Sequence, residues 1–150
     1  MKYATVMVLA AVAAVIDPNA GRAQAAQQGA AFLAACRAAW PCAILAEWQP
    51  GGVCHSATFG AAAASAGIAL EDALVGYLQA FAANLVGAGL RLGLVGQTDG
   101  QRILAALEPV VGAAARAAVE RDPADFGSAT FALDLLSIAH ETQYSRLFRS

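Results

Sequence analysis

The sequence predicts an all-α fold, a helical bundle of about five to seven helices. Three observations carry this. Apolar residues recur at helical spacing over long stretches, and no segment alternates with strand period over a useful length. The apolar fraction is 59%, and Ala, the strongest helix former, dominates it. Gly and Pro fall where helices would stop.

The elements follow in chain order. Lys2 precedes an uncharged run from Ala4 to Ile16, closed by Asp17-Pro18-Asn19. The run is too short to span a bilayer, which takes about 20 residues. It reads either as a buried first helix or as the apolar part of a secretory leader, with Ala23-Gln24-Ala25 resembling a cleavage site. Ala20 to Ala39 predicts a helix in which Phe32, Leu33, Cys36 and Trp40 share the apolar face, ended by Pro41. Ala43 to Trp48 is a short helical turn or an irregular apolar run, followed by the Gln49-Pro50-Gly51-Gly52 loop.

His55 to Ala66 forms the next helix, with Gly67 placed to close it and Gly60 suited to close helix approach. Leu70 to Leu92 is the strongest helical signal. Leu70, Leu74, Tyr77, Phe81, Leu85 and Ala88 make one stripe, and Gly87 and Gly89 allow close packing near its end. Glu71 and Asp72 stand in the first turn, where the helix dipole favours negative charge. Gly93 to Gly96 breaks the pattern.

Thr98-Asp99-Gly100-Gln101 then has the form of a capping box. Ile103, Leu104, Leu107, Val110 and Val111 form the expected buried face of the helix that follows. Pro109 is expected to kink or split that helix. Asp122-Pro123 ends it, and Ser128 can cap a final core helix containing Phe131, Leu135 and Ile138. The chain divides into an apolar leader or first helix (1–19), a helical domain (20–139) and a terminal segment (140–150).

Composition excludes several classes. Charged residues make up 13% of the chain, against roughly 25% in ordinary soluble domains, so apolar faces needing a partner are expected. The net charge is −2 and Lys2 is the only lysine, which argues against nucleic acid and anionic membrane as partners. Cys36, Cys42 and Cys54 form no disulfide framework and read as buried core residues. Cys54-His55 is at most half of a metal site, because zinc-type sites need three or four ligands; no metal ligand set is assigned. No nucleophile–base–orienter set and no phosphate loop stand out, so no catalytic residue is expected.

Two motifs remain. Gln97, Thr98, Asp99, Gly100, Gln101 and Arg102 form a polar cluster amid apolar sequence. The turn and cap explain part of it, and Gln97, Asp99 and Arg102 either brace the turn or face a partner. The second motif is the terminus, His140 to Ser150. Chain ends usually carry little information, yet this one gathers Tyr, Phe and Arg, the types that concentrate binding energy at interfaces. Helical geometry puts His140, Tyr144, Leu147 and Phe148 near one face. The segment either docks on its own core or orders in the groove of a partner.

Together these motifs resemble the urease accessory protein F family. Gly96-Gln97-Thr98-Asp99-Gly100-Gln101-Arg102, Leu107-Glu108-Pro109, Leu133-Asp134 and the terminal His-Glu-Thr-Gln-Tyr-Ser-Arg-Leu-Phe-Arg-Ser stand in the order that family shows. Phe59-Gly60 and Tyr77-Leu78-Gln79-Ala80-Phe81 with Asn84-Leu85 fit as well. The resemblance covers about residues 20–150. Phe131 stands where a Pro is usual and Ala139 where a basic residue is usual. The family's Gly-rich opening motif is absent.

The resemblance implies a non-catalytic nickel-insertion chaperone of the cytoplasm. It would form a homodimer and link the D/H-type accessory protein to the G-type GTPase on the way to apo-urease. It implies that His140, Glu141, Tyr144, Arg146, Leu147, Phe148 and Arg149 dock the D/H-type partner. Gln97 to Arg102 would support the core or the GTPase-facing surface. No cofactor is expected on the chain itself, nickel being handled by the partner complex. The alternatives are a truncated non-functional remnant of such a protein, or a small exported helical protein if residues 1–25 act as a signal.

Overall fold

A computed structural model describes residues 22–40, 43–49 and 53–122. Every regular element among them is helical: α1 (Arg22–Ala39), α2 (Ala43–Ala46), α3 (His55–Ser65), α4 (Leu70–Arg91) and α5 (Gln97–Glu120). This is the all-α class expected. Among the described residues there are four helices plus the single turn α2, slightly fewer than the five to seven expected. The leader (1–19), the helix expected after Ser128 and the terminal segment lie outside the described residues.

Two glycines set the chain reversals. Gly67 and Gly93 have positive φ, 76° and 70°, a conformation in which a Cβ is strained. After α3, the Ile68 N–H donates to the Ala63 carbonyl and the Gly67 N–H to the Ala64 carbonyl. After α4, Leu94 donates to Gly89 and Gly93 to Leu90 in the same pattern. Both are Schellman closures, which satisfy the orphan carbonyls of a helix end. The second turns α4 and α5 into a hairpin, the most extensive helix pairing among the described residues.

The core is thin and split in two. Leu33, Cys36, Leu45 and Ala61 form one cluster, joined by Phe32 and Trp48. Ala63, Ala73, Leu74 and Ala115 form the other, flanked by Phe59, Leu70, Tyr77 and Leu78. Helix α3 is the wall between them, with Ala61 on one side and Ala63 on the other. Its small side chains let neighbours approach closely, but each buries little area. Leu33, Leu45 and Leu74 are the largest apolar side chains fully buried, each contributing about 1.5–3 kcal/mol.

Arg37 closes the first cluster. Its Nε donates to the Leu45 carbonyl at 2.8 Å. Its guanidinium also donates to the Ala46 and Trp48 carbonyls. One planar fork thus collects the carbonyls at the end of α2, where the turn itself supplies only the Trp48 N–H to the Leu45 carbonyl.

Several sequence expectations are corrected. Trp40 lies past the end of α1 and is 66% exposed, so it leaves the buried face formed by Leu33 and Cys36. Pro109 does not split α5, which runs unbroken from Gln97 to Glu120. Val111 and Ala115, buried beyond it, hold the second half of the helix. The α4 stripe also divides. Leu74 is fully buried, whereas Phe81 and Leu85 are 42% and 60% exposed. Likewise Val111 is buried, but Ile103 and Val110 are exposed.

Candidate functional site

The exposed half of the α4 stripe and the exposed residues of α5 face one another. Phe81, Leu85 and Val86 of α4, Val95 of the turn, and Ile103, Leu107, Val110 and Ala114 of α5 line a cavity of about 520 Å³. Every side chain in its lining is apolar. The helical repeat explains this. On α4, positions 78, 81, 82 and 85 share a face, as do 103, 107, 110, 111 and 114 on α5. Large exposed apolar patches of this kind mark contact surfaces. Such a groove offers no acid, base or anion site; its chemistry is to take up an apolar surface. Helix α4 is also long and apolar enough to cross a bilayer by length and composition alone.

The polar turn expected to matter sits at one end of this groove. It does not form a capping box. Gly96 takes the N-cap position in an extended conformation (φ −80°, ψ 160°), with no side-chain cap hydrogen bond. The helix begins at Gln97, so Thr98 lies inside the first turn, where its hydroxyl cannot act as a cap. Thr98 and Gln101 are exposed, as is Gln97. Asp99 and Arg102 brace each other at 3.0 Å on the surface. Gly100 has a different role from the one expected. It is buried, and a Cβ there would stand 3.0 Å from Val86 Cγ1. Its lack of a side chain lets the start of α5 close against α4, and the neighbouring polar groups are thereby presented outward.

A second constellation is an aromatic row that the sequence reading missed. The His55 ring stands edge-on to Phe32 at 5.0 Å and 5.9 Å from Tyr77. Phe59 adjoins both Phe32 and Tyr77. Burial lowers the His55 pKa below its ordinary value. Burial, and then the nearby Cys54 charge, raise the Tyr77 phenol, against a hydrogen bond with Ser56 that lowers it. Cys54 Sγ lies 3.3 Å from Ser56 Oγ. The only sequence signal was the Cys54-His55 pair, read there as at most half of a metal site. Among the described residues no cluster of three His, Cys, Asp or Glu side chains stands close enough to hold a metal ion. His140, Glu141, Tyr144, Arg146, Leu147, Phe148 and Arg149 lie outside the described residues.

Comparison with known proteins gives this arrangement a family. The UreF family model matches residues 4–108. The chain belongs to the UreF family. Curated relatives agree. The chain is 50% identical over 130 residues to the urease accessory protein UreF of Methylobacterium radiotolerans, covering 85% of this chain and 57% of that protein. It is 47% identical over 145 residues to the UreF of a Bradyrhizobium species, covering 95% and 60%. It is 46% identical over 143 residues to that of Mesorhizobium japonicum, covering 93% and 63%. The chain therefore spans about three fifths of the length of these UreF proteins. The UreF match begins at residue 4, within the segment that sequence analysis set apart from the resemblance.

Proposed function

We propose that this chain is a non-catalytic adaptor of urease maturation, acting in the cytoplasm. The family match over residues 4–108 carries this reading, and the relatives' shared name, urease accessory protein UreF, supplies the process. The α4–α5 groove supports it, because an all-apolar lining suits protein contact. In this reading His140, Tyr144, Leu147 and Phe148 anchor the D/H-type accessory protein, with Glu141, Arg146 and Arg149 at the rim. The exposed Gln97–Arg102 turn faces the G-type GTPase that carries nickel to apo-urease. The adaptor works as a homodimer and holds no metal of its own.

The test is co-expression with the D/H-type protein and affinity capture. Deleting residues 140–150 abolishes capture if the assignment holds. Undiminished capture after that deletion overturns the docking role of the tail.

A further inference from the structure

The described helices fall into two units joined at a narrow waist. Helices α1 and α2 pack on α3, and α5 packs on α4, whereas α3 meets α4 only sparsely. Mostly small side chains make that junction: Ala63 of α3 joins Ala73 and Leu74 of α4 and Ala115 of α5, so it buries little area. The connection is short and open. Residues 65–69 are all exposed, and Gly67 has nothing within 4 Å of an added Cβ. The ion pairs Asp99–Arg102 and Glu71–Arg116 lie inside the α4–α5 hairpin and do not cross the waist.

Tyr77 of α4 does cross it. Its ring stands 5.4 Å from that of Phe59 and 5.9 Å from that of His55, and its hydroxyl meets Ser56. We infer that the two units open and close about the Gly67 reversal, with Tyr77 as the latch and protonation of His55 as its release. Hinges of this kind are a few residues at element ends that absorb the change in φ and ψ.

His55 is suited to release the latch. It is the first residue of α3, where the helix dipole disfavours a cation. The α1 side presents Phe32 at 5.0 Å. The titratable groups beside it are Tyr77 from α4 and Cys54 next to it in the chain. No carboxylate among the described residues lies within ion-pairing distance of its ring. The face of a Tyr ring attracts a cation, but burial outweighs that attraction, since the His55 pKa lies below its ordinary value. Protonation therefore favours the arrangement in which water reaches the ring. Parting at the waist gives that arrangement without unfolding a helix, because α3 keeps its packing on α1.

The experiment places p-acetylphenylalanine at Ala38 of α1 and Ala105 of α5, both exposed, in the full-length chain, and attaches a nitroxide to each ketone. An excess of unlabelled chain suppresses distances between copies. Pulsed electron–electron resonance is expected to give a single short distance at pH 7.5. A longer component grows towards pH 5 while helical circular dichroism stays constant. In His55→Gln the longer component is absent at pH 5, and in Tyr77→Ala it is present already at pH 7.5. A distance unchanged with pH, a pH response that survives His55→Gln, or a longer component that appears only as circular dichroism falls overturns the inference. Should Tyr77→Ala fail to fold, the pH series of the otherwise unaltered chain and of His55→Gln decides. No accessory partner is present, so failure of the proposed adaptor role leaves this result unaffected.

Discussion

Gly29 lies directly against the backbone of Val53: a methyl group on its α-carbon would overlap the Val53 carbonyl oxygen. The Cys54 carbonyl carbon and His55 nitrogen would stand 2.8 and 2.9 Å away. This contact sets how α1 crosses the start of α3. None of those atoms is the movable end of a side chain, so the backbone itself would have to shift.

Gly29→Ala therefore destabilises the protein by about 1–3 kcal/mol, although Ala is the better helix former. Gly76 is the counter-case. It lies mid-helix in α4 with nothing within 4 Å of an added Cβ, so Gly76→Ala stabilises by about 0.5–1 kcal/mol. Urea denaturation of the two variants checks both signs, with opposite shifts of the midpoint expected.

Replacing Gly67 or Gly93 with Ala forces an L-residue to the positive φ that each Schellman closure requires. Each costs about 1–2 kcal/mol, with no clash contributing, since nothing lies within 4 Å of either position. The d-alanine variant made by semisynthesis should restore stability at both positions. A thermal melt of the four proteins distinguishes backbone strain from lost packing.

Arg37→Ala removes three donor contacts to the carbonyls of Leu45, Ala46 and Trp48. The expected cost is about 1–3 kcal/mol, discounted because two of the contacts are exposed. Lys keeps the charge but lacks the planar fork, and should recover less than half of the loss. Trp48 is half-buried while Trp40 is already exposed. A red shift of tryptophan emission in Arg37→Ala therefore reports release of the α2 segment.

His55 carries a pH dependence. Burial lowers its folded pKa below the ordinary 6.5, so near pH 6 the unfolded chain binds more protons. Stability is then full above about pH 6.5 and is lost as pH falls through the folded value. The melting temperature should drop between pH 7.5 and 5. His55→Gln should flatten that dependence, leaving only the slope from other groups. An unchanged slope would refute the assignment to His55.

These residues also show what was legible in the sequence. Gly67 and Gly93 were readable as punctuation, because positive φ is a local demand that glycine meets without help from the rest of the fold. The helices were readable because the apolar period is local too. Periodicity names the residues that share a stripe but not the neighbour that covers it. Leu74 and Phe81 lie on one stripe of α4, yet one is core and the other lines the groove. The capping box at Thr98 failed by a shift in helix start: Gly96 adopts the extended N-cap geometry first. Pro109 was expected to break a helix that Val111 and Ala115 hold by tertiary contact. The row of Phe32, His55, Tyr77 and Phe59 joins three helices, and no local pattern announces it. The family was readable from the polar motif at 96–102 taken with the terminal segment 140–150; in the first, every residue from 97 to 102 except the buried Gly100 is exposed and so free of the demands of packing.

The short reversal at Gly93 has a consequence for synthesis. Helices α4 and α5 are neighbours in sequence as well as in space, so their pairing needs little loop closure and forms fast. Translation proceeds at about 5–20 residues per second, far slower than a helical hairpin closes. The nascent chain therefore presents Phe81, Leu85 and Val110 to the cytosol before its last residues have been made. Its most adhesive surface is finished early, and chaperones or aggregation compete for it while the rest of the chain is still being made.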